Sequence, residues 1–99
     1  SAQFDDNIKY LKKLAENKDF SKFISVYEEL NADTKENFGL LTESDFKKYL
    51  EKNKGQQFAE DYRTLSEQIT IEKYAPFHSD EHIDELLKSI IRIYSSIRQ

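Results

Sequence analysis

The sequence predicts an all-α fold: a compact bundle of about five short helices packed around the C-terminal helix. Three observations carry this. Apolar residues recur at spacings of three and four along nearly the whole chain. Breakers are few, with one Pro and two Gly in 99 residues. The most apolar stretch, Ile83 to Ile97, closes the chain with a stripe wide enough to touch every other segment. Ninety-nine residues suit one domain, 1–99, with a modest single core. A hydrophobic share of 37% against 34% charged is polar for a globular chain. Seven Phe and six Tyr compensate, because each ring buries a large area.

Segment one runs from about Phe4 to Glu16, with Phe4, Ile8, Leu11, Leu14 and Ala15 on one stripe. Asp5 and Asp6 suit the positive end of the helix dipole, and Lys12 and Lys13 the other end. After a turn at Asn17-Lys18, Asp19 caps segment two. Phe20, Phe23, Ile24, Tyr27 and Leu30 mark its face, and it ends before Gly39. So short a link requires an antiparallel or steeply crossed helix pair.

Segment three has the clearest start. Thr42 caps, Asp45 completes a box-like Thr-x-x-Asp, and Leu41 with Phe46 forms a hydrophobic staple. Phe46, Tyr49 and Leu50 are its buried face, and Gly55 stops it. Segment four carries Phe58, Tyr62, Leu65 and Ile69 and runs from near Gln56 to about Lys73. Ile69-Thr70-Ile71 alternates like a strand, but a lone strand has no partner in a chain this helical. Pro76 disfavours helix at Ala75. Segment five runs from about Asp80, capped by Ser79 or Asp80, to Ile97. Its stripe is Ile83, Leu86, Leu87, Ile90, Ile91, Tyr94 and Ile97, widened by Ile93.

A net charge of −4 argues against nucleic acid, which wants a basic face. Lys9, Lys12, Lys13, Lys18 and Lys22 come closest to one, but acids are interspersed and a solvated face is the reading. With no cysteine there are no disulfides, thiolate metal sites or cysteine nucleophiles. No stretch approaches the ~18 apolar residues of a membrane helix, and no signal peptide is visible. The chain opens on Ser1-Ala2-Gln3 without methionine, as expected of a processed chain or of one with added residues at its front.

His78-Ser79-Asp80-Glu81-His82 sets two imidazoles four residues apart, a zinc-like spacing, but not as His-Glu-x-x-His. Acids at a helix start have a plain structural reason, so these are read as partly exposed histidines at a helix entrance, with no metal or other cofactor. Adjacent carboxylates such as Glu28-Glu29 and Glu60-Asp61 point apart on a helix surface, unlike an acid–base pair in a shared cleft. Neither a Gly-x-Ser-x-Gly elbow nor a Gly-rich phosphate loop occurs, so no catalytic residue is assigned. Tyr74 and Phe77 flank the turn. The bland expectation packs both into the core against segment five; the sharper one leaves one exposed as a binding anchor.

Lys73-Tyr74-Ala75-Pro76, between an amphipathic helix and a Ser-Asp-capped terminal helix, resembles the C-terminal cytoplasmic region of BatD proteins. These are membrane-anchored members of the bacterial Bat aerotolerance systems, as in Bacteroidetes. Gly39-Leu40-Leu41-Thr42-Glu43-Ser44-Asp45-Phe46 matches the family's loop into a Leu-Thr-x-x-x-hydrophobic helix, and Ile83 to Ile97 its closing helix. The second helix departs, with Val26-Tyr27-Glu28-Glu29-Leu30 and no Trp. The resemblance implies a non-catalytic interaction or scaffolding domain on the cytoplasmic side of the inner membrane, the tail of an anchored protein. It implies MoxR-type AAA+ ATPases and von Willebrand A-domain Bat proteins as partners, with no membrane insertion by this segment itself. The candidate interaction motif is Lys73, Tyr74, Ala75, Pro76 and Phe77. The alternatives are a stand-alone soluble helical adaptor or regulatory domain of another family and, from another class, a small hydrolase or metal-binding protein.

Overall fold

The computed structural model describes residues 2–99 and contains five helices: α1 (Ala2–Glu16), α2 (Phe20–Asn37), α3 (Glu43–Lys54), α4 (Gln56–Tyr74) and α5 (Asp80–Ile97). There is no strand among the described residues, so Ile69-Thr70-Ile71 is helical. The all-α bundle expected from the spacing is the fold.

Local chemistry explains where each helix stops. Lys18 ends α1 with φ 56°, in the left-handed region. Asp19 N–H then donates to Leu14 C=O at 3.0 Å, and Lys18 N–H to Ala15 C=O at 3.1 Å. Those two bonds make a Schellman motif, formed here without glycine. Asp19 at once starts α2, its Oδ1 accepting from Lys22 N–H at 3.2 Å. α2 ends in the same motif with Gly39 at φ 69°, Leu40 N–H reaching Lys35 C=O and Gly39 N–H reaching Glu36 C=O, both at 2.9 Å.

Thr42 caps α3 as expected, its Oγ1 accepting from Asp45 N–H at 3.1 Å. The Leu41–Phe46 staple does not form, since Leu41 is 84% exposed. The Schellman motif packs its last residue back on the helix it ends, and that residue is Leu40. Leu40 therefore reaches the core and Leu41 turns to solvent. Phe46 is fully buried against Tyr62, with ring centroids 5.2 Å apart and edge-to-face. Gly55 alone joins α3 to α4, and the two helices pack closely along their length.

α2 packs on α1 and α4, and α5 packs on α1 and α4. α3 packs chiefly on α4 and is also tied to α2 by the Lys35–Glu43 ion pair at 2.8 Å. α5 buries Ile83, Leu86, Ile90, Ile93, Tyr94 and Ile97, while Leu87 and Ile91 stay half-buried at the rim. The middle of the core is aromatic, with Phe23, Phe46, Tyr62 and Tyr94 among its fully buried side chains.

Candidate functional site

The buried stripe of α4 ends on an acid. Phe58, Tyr62, Leu65 and Ile69 are spaced four, three and four residues apart, and the next position on that face is Glu72. Glu72 is 5% exposed, the one charged residue buried among those described. A carboxylate taken out of water needs partners, or its lost hydration is uncompensated. Two imidazoles supply them. Nδ1 of His78 lies 3.2 Å, and Nδ1 of His82 3.3 Å, from the same Oε1. With the proton on Nδ1, each ring donates to one lone pair of that oxygen. His78 comes from the segment between the helices and His82 from the first turn of α5, so the acid ties the two helices together. The His78 ring also stacks on Phe20 of α2, with centroids 4.2 Å apart and planes 10° from parallel.

The same turn is held from its other side. Lys73 Nζ donates to Glu28 Oε2 of α2 at 2.8 Å and lies 5.8 Å from the Tyr74 ring centre. The hydrogen bond and charge of Glu28 hold the Lys73 ammonium above the usual lysine range. Ala75 is extended (φ −69°, ψ 135°), the conformation that Pro76 favours in its neighbour, and this stops α4.

What this anchored turn leaves outside is aromatic. Tyr74 is 75% and Phe77 88% exposed, and Ile71, on the same outer face of α4 as Tyr74, is 59% exposed. The expectation that both rings pack against α5 is therefore corrected. α5 is already covered by α1 and α4, and the place beside α2 is filled by His78 on Phe20. Of the five motif residues, Lys73 is engaged by Glu28, Ala75 is half-buried, Pro76 is exposed, and Tyr74 and Phe77 face solvent.

Beneath the turn, α4 and α5 enclose a groove of about 230 Å³ lined by Asp61, Gln68, Glu72, His82, Glu85 and Arg92 among others. That is smaller than the roughly 300–1,000 Å³ of small-molecule sites. Among the described residues no group of three or more His, Asp or Glu is arranged to hold a metal ion.

A larger depression, about 640 Å³, opens between α2, α3 and α4 over Tyr27, Asn31 and Glu43. Its floor is a hydrogen-bond network. Tyr94 donates to Asn31 Oδ1 at 2.6 Å, which leaves Tyr27 to donate to Tyr94 at 2.9 Å. Tyr62 donates to Glu43 at 2.9 Å, and Lys35 Nζ donates to the same carboxylate at 2.8 Å. Burial pushes the Tyr27 hydroxyl up to about 12, and pushes Tyr62 and Tyr94 well above the tyrosine range. Burial also pushes Glu43 up, but its bonds from Lys35 and Tyr62 outweigh this and hold it below the usual carboxylate range. No buried side-chain donor or acceptor lacks a partner among the described residues. The network joins α2, α3, α4 and α5 and aims no open group at an incoming ligand.

Comparison with protein families, with curated proteins and with solved structures gave no match. Fold and site together define a five-helix bundle with an anchored turn that faces outward.

Sequence reasoning passed over Glu72 and the tyrosine network. The signal for Glu72 was present, since it is the next position of the α4 stripe. The network had none, because Tyr27, Tyr62, Tyr94, Asn31 and Glu43 meet only once four helices are assembled.

Proposed function

We propose that this chain is a non-catalytic protein–protein interaction domain, with Tyr74 and Phe77 of the α4–α5 turn as its binding anchors. One observation carries the reading: a turn tied down at Glu72, Phe20 and Glu28 holds two aromatic rings 75% and 88% exposed. Solvated rings offer the large apolar contact on which binding hot spots are built. A turn that is already fixed loses little further freedom on docking. The resemblance to BatD tails supplies the partner class: MoxR-type AAA+ ATPases and von Willebrand A-domain proteins at the cytoplasmic face of a bacterial membrane. None of the described helices is long and apolar enough to cross a membrane. In this reading the anchor belongs to another part of a longer protein.

Calorimetry with a purified MoxR-type ATPase and a purified von Willebrand A-domain protein tests the proposal, using Tyr74→Ser, Phe77→Ser and the double variant. At least one ring is expected to cost about thirtyfold in affinity, the ~2 kcal/mol of a hot spot. Thermal midpoints should hardly move, because both side chains already sit in water. Undiminished binding by the double variant removes the turn from the interface. Unfolding of either single variant assigns that ring to the core instead.

A further inference from the structure

The charge of this chain is unevenly spread. It holds 19 Asp and Glu against 15 Lys and Arg. Five of those acids and one of those bases fall between Ile71 and Glu85, so this stretch alone accounts for the net −4. The rest of the chain is balanced. One of the five acids is the buried Glu72; Asp80, Glu81, Asp84 and Glu85 are all exposed in the first turns of α5.

Nearby cations answer only part of this charge. Lys73 is committed to Glu28 of α2, and Lys18 pairs with Asp84 at 2.9 Å. Ser79 Oγ donates to Glu81 Oε2, which orients that carboxylate without neutralising it. Asp80 and Glu85 have no ion-pair partner among the described residues. Exposed Ile71, Tyr74 and Phe77 lie in the same stretch of chain. An apolar anchor point with an acidic flank sets the sign of what can cover it.

We infer that the partner docks on this turn through a basic segment carrying an apolar side chain. The apolar group sits on Tyr74 and Phe77, and its Lys or Arg residues lie over Asp80, Glu81 and Glu85. This rests on the reading of the turn as a binding surface and adds the chemistry of the partner. A second copy meeting this turn with its own turn would bring the same negative surface against itself, and like charges across an interface are costly. Anionic lipid and nucleic acid are repelled for the same reason.

The test is an amide NMR titration of the domain with three synthetic peptides of equal length: alternating Lys/Leu, Glu/Leu and Lys/Ser. The Lys/Leu peptide should move signals between Ile71 and Glu85, and the Glu/Leu peptide should not. Lys/Ser, which lacks the apolar anchor, should bind about tenfold more weakly or worse, as should Lys/Leu with the Phe77→Ser variant. Affinity should fall steeply as ionic strength rises from about 0.01 to about 0.15 M, which shortens the screening length from about 30 to about 8 Å. Asp80→Asn with Glu85→Gln, at two exposed and unpaired sites, should weaken binding while leaving the spectrum folded.

Equal binding of Glu/Leu at the turn overturns the charge assignment and leaves the turn as a binding surface. Lys/Leu shifts that map elsewhere, or that ignore salt, overturn the inference as well. Calorimetry with the protein partners then judges the turn separately.

Discussion

Gly55 is the joint on which α3 folds back along α4, and alanine there separates backbone conformation from packing. Its φ of 100° and ψ of 162° lie in a region that essentially only glycine occupies. A Cβ built at this position meets nothing within 4 Å, so no clash contributes. Holding an L-residue in such a conformation costs on the order of 1–3 kcal/mol. Alanine also narrows the unfolded ensemble, which offsets about 0.4–1 kcal/mol. A net loss of about 1–2 kcal/mol is expected for Gly55→Ala. For a domain of this size each kcal/mol moves the thermal midpoint by about 4–8 °C, so a fall of roughly 5–15 °C should follow. Urea melts followed by far-UV circular dichroism should give the same loss with an unchanged m-value. D-alanine placed at the same position by peptide ligation is the control. Positive φ is natural to a D-residue, so this protein should be at least as stable as the glycine form. If L-alanine melts with the parent, or if L- and D-alanine lose stability equally, the conformational argument is wrong.

Four other outcomes follow from the hydrogen-bonded polar groups. Tyr94→Phe removes the proton given to Asn31 and the acceptor used by Tyr27, and should cost about 1–3 kcal/mol in urea melts. Tyr27→Phe leaves the Tyr94–Asn31 bond intact and should cost less, so the reverse order would contradict the assigned donors. Tyr27, Tyr62 and Tyr94 have folded pKa values raised by burial, Tyr27 to about 12. Stability from these groups is intact below the ordinary tyrosine value of about 10 and is lost as pH climbs through the folded values. Their tyrosinate absorbance should therefore rise together with loss of helix, and ionisation of these three in a still-helical protein would refute the network. Glu43 has the opposite sign: its folded pKa is lowered, so its contribution is present above the ordinary carboxylate range and is lost as pH falls. Glu43→Gln should flatten that acid limb. Glu72→Ala should speed amide hydrogen exchange at residues 75–79 and abolish the ring-current shift of His78 from Phe20. Unchanged exchange would mean that the acid does not hold the turn.

Much of the fold was legible because helix ends are local chemistry. Asp19, Thr42, Gly39, Gly55 and Pro76 act within a few residues of their own position, and each stops or starts a helix where the sequence says it should. The Leu41–Phe46 staple misled because two local motifs compete for adjacent residues. The Schellman end of α2 claimed Leu40, and Leu41 could not also face inward. Glu72 was hidden by its charge, although its spacing marks it as buried. The outward stance of Tyr74 and Phe77 could not be read along the chain, since it follows from His78 taking the place beside Phe20. The sequence singled out Lys73 to Phe77 as a candidate; that two of these residues project while Glu72, His78 and His82 fasten the turn was not legible in it.

The two chain ends also meet. α1 packs on α5, and the Arg98 guanidinium lies 4.1 Å from the centre of the Phe4 ring. In the native order that contact closes a loop almost as long as the chain, and its entropic cost grows only as the logarithm of that length. A short Gly/Ser bridge between the ends would make the same contact a neighbourly one. The chain could then be reopened at Leu41, which is exposed and lies between two independently capped helices. Such a permutant keeps every helix pair while reordering which of them form early, and it carries the Tyr74–Phe77 turn far from either new end.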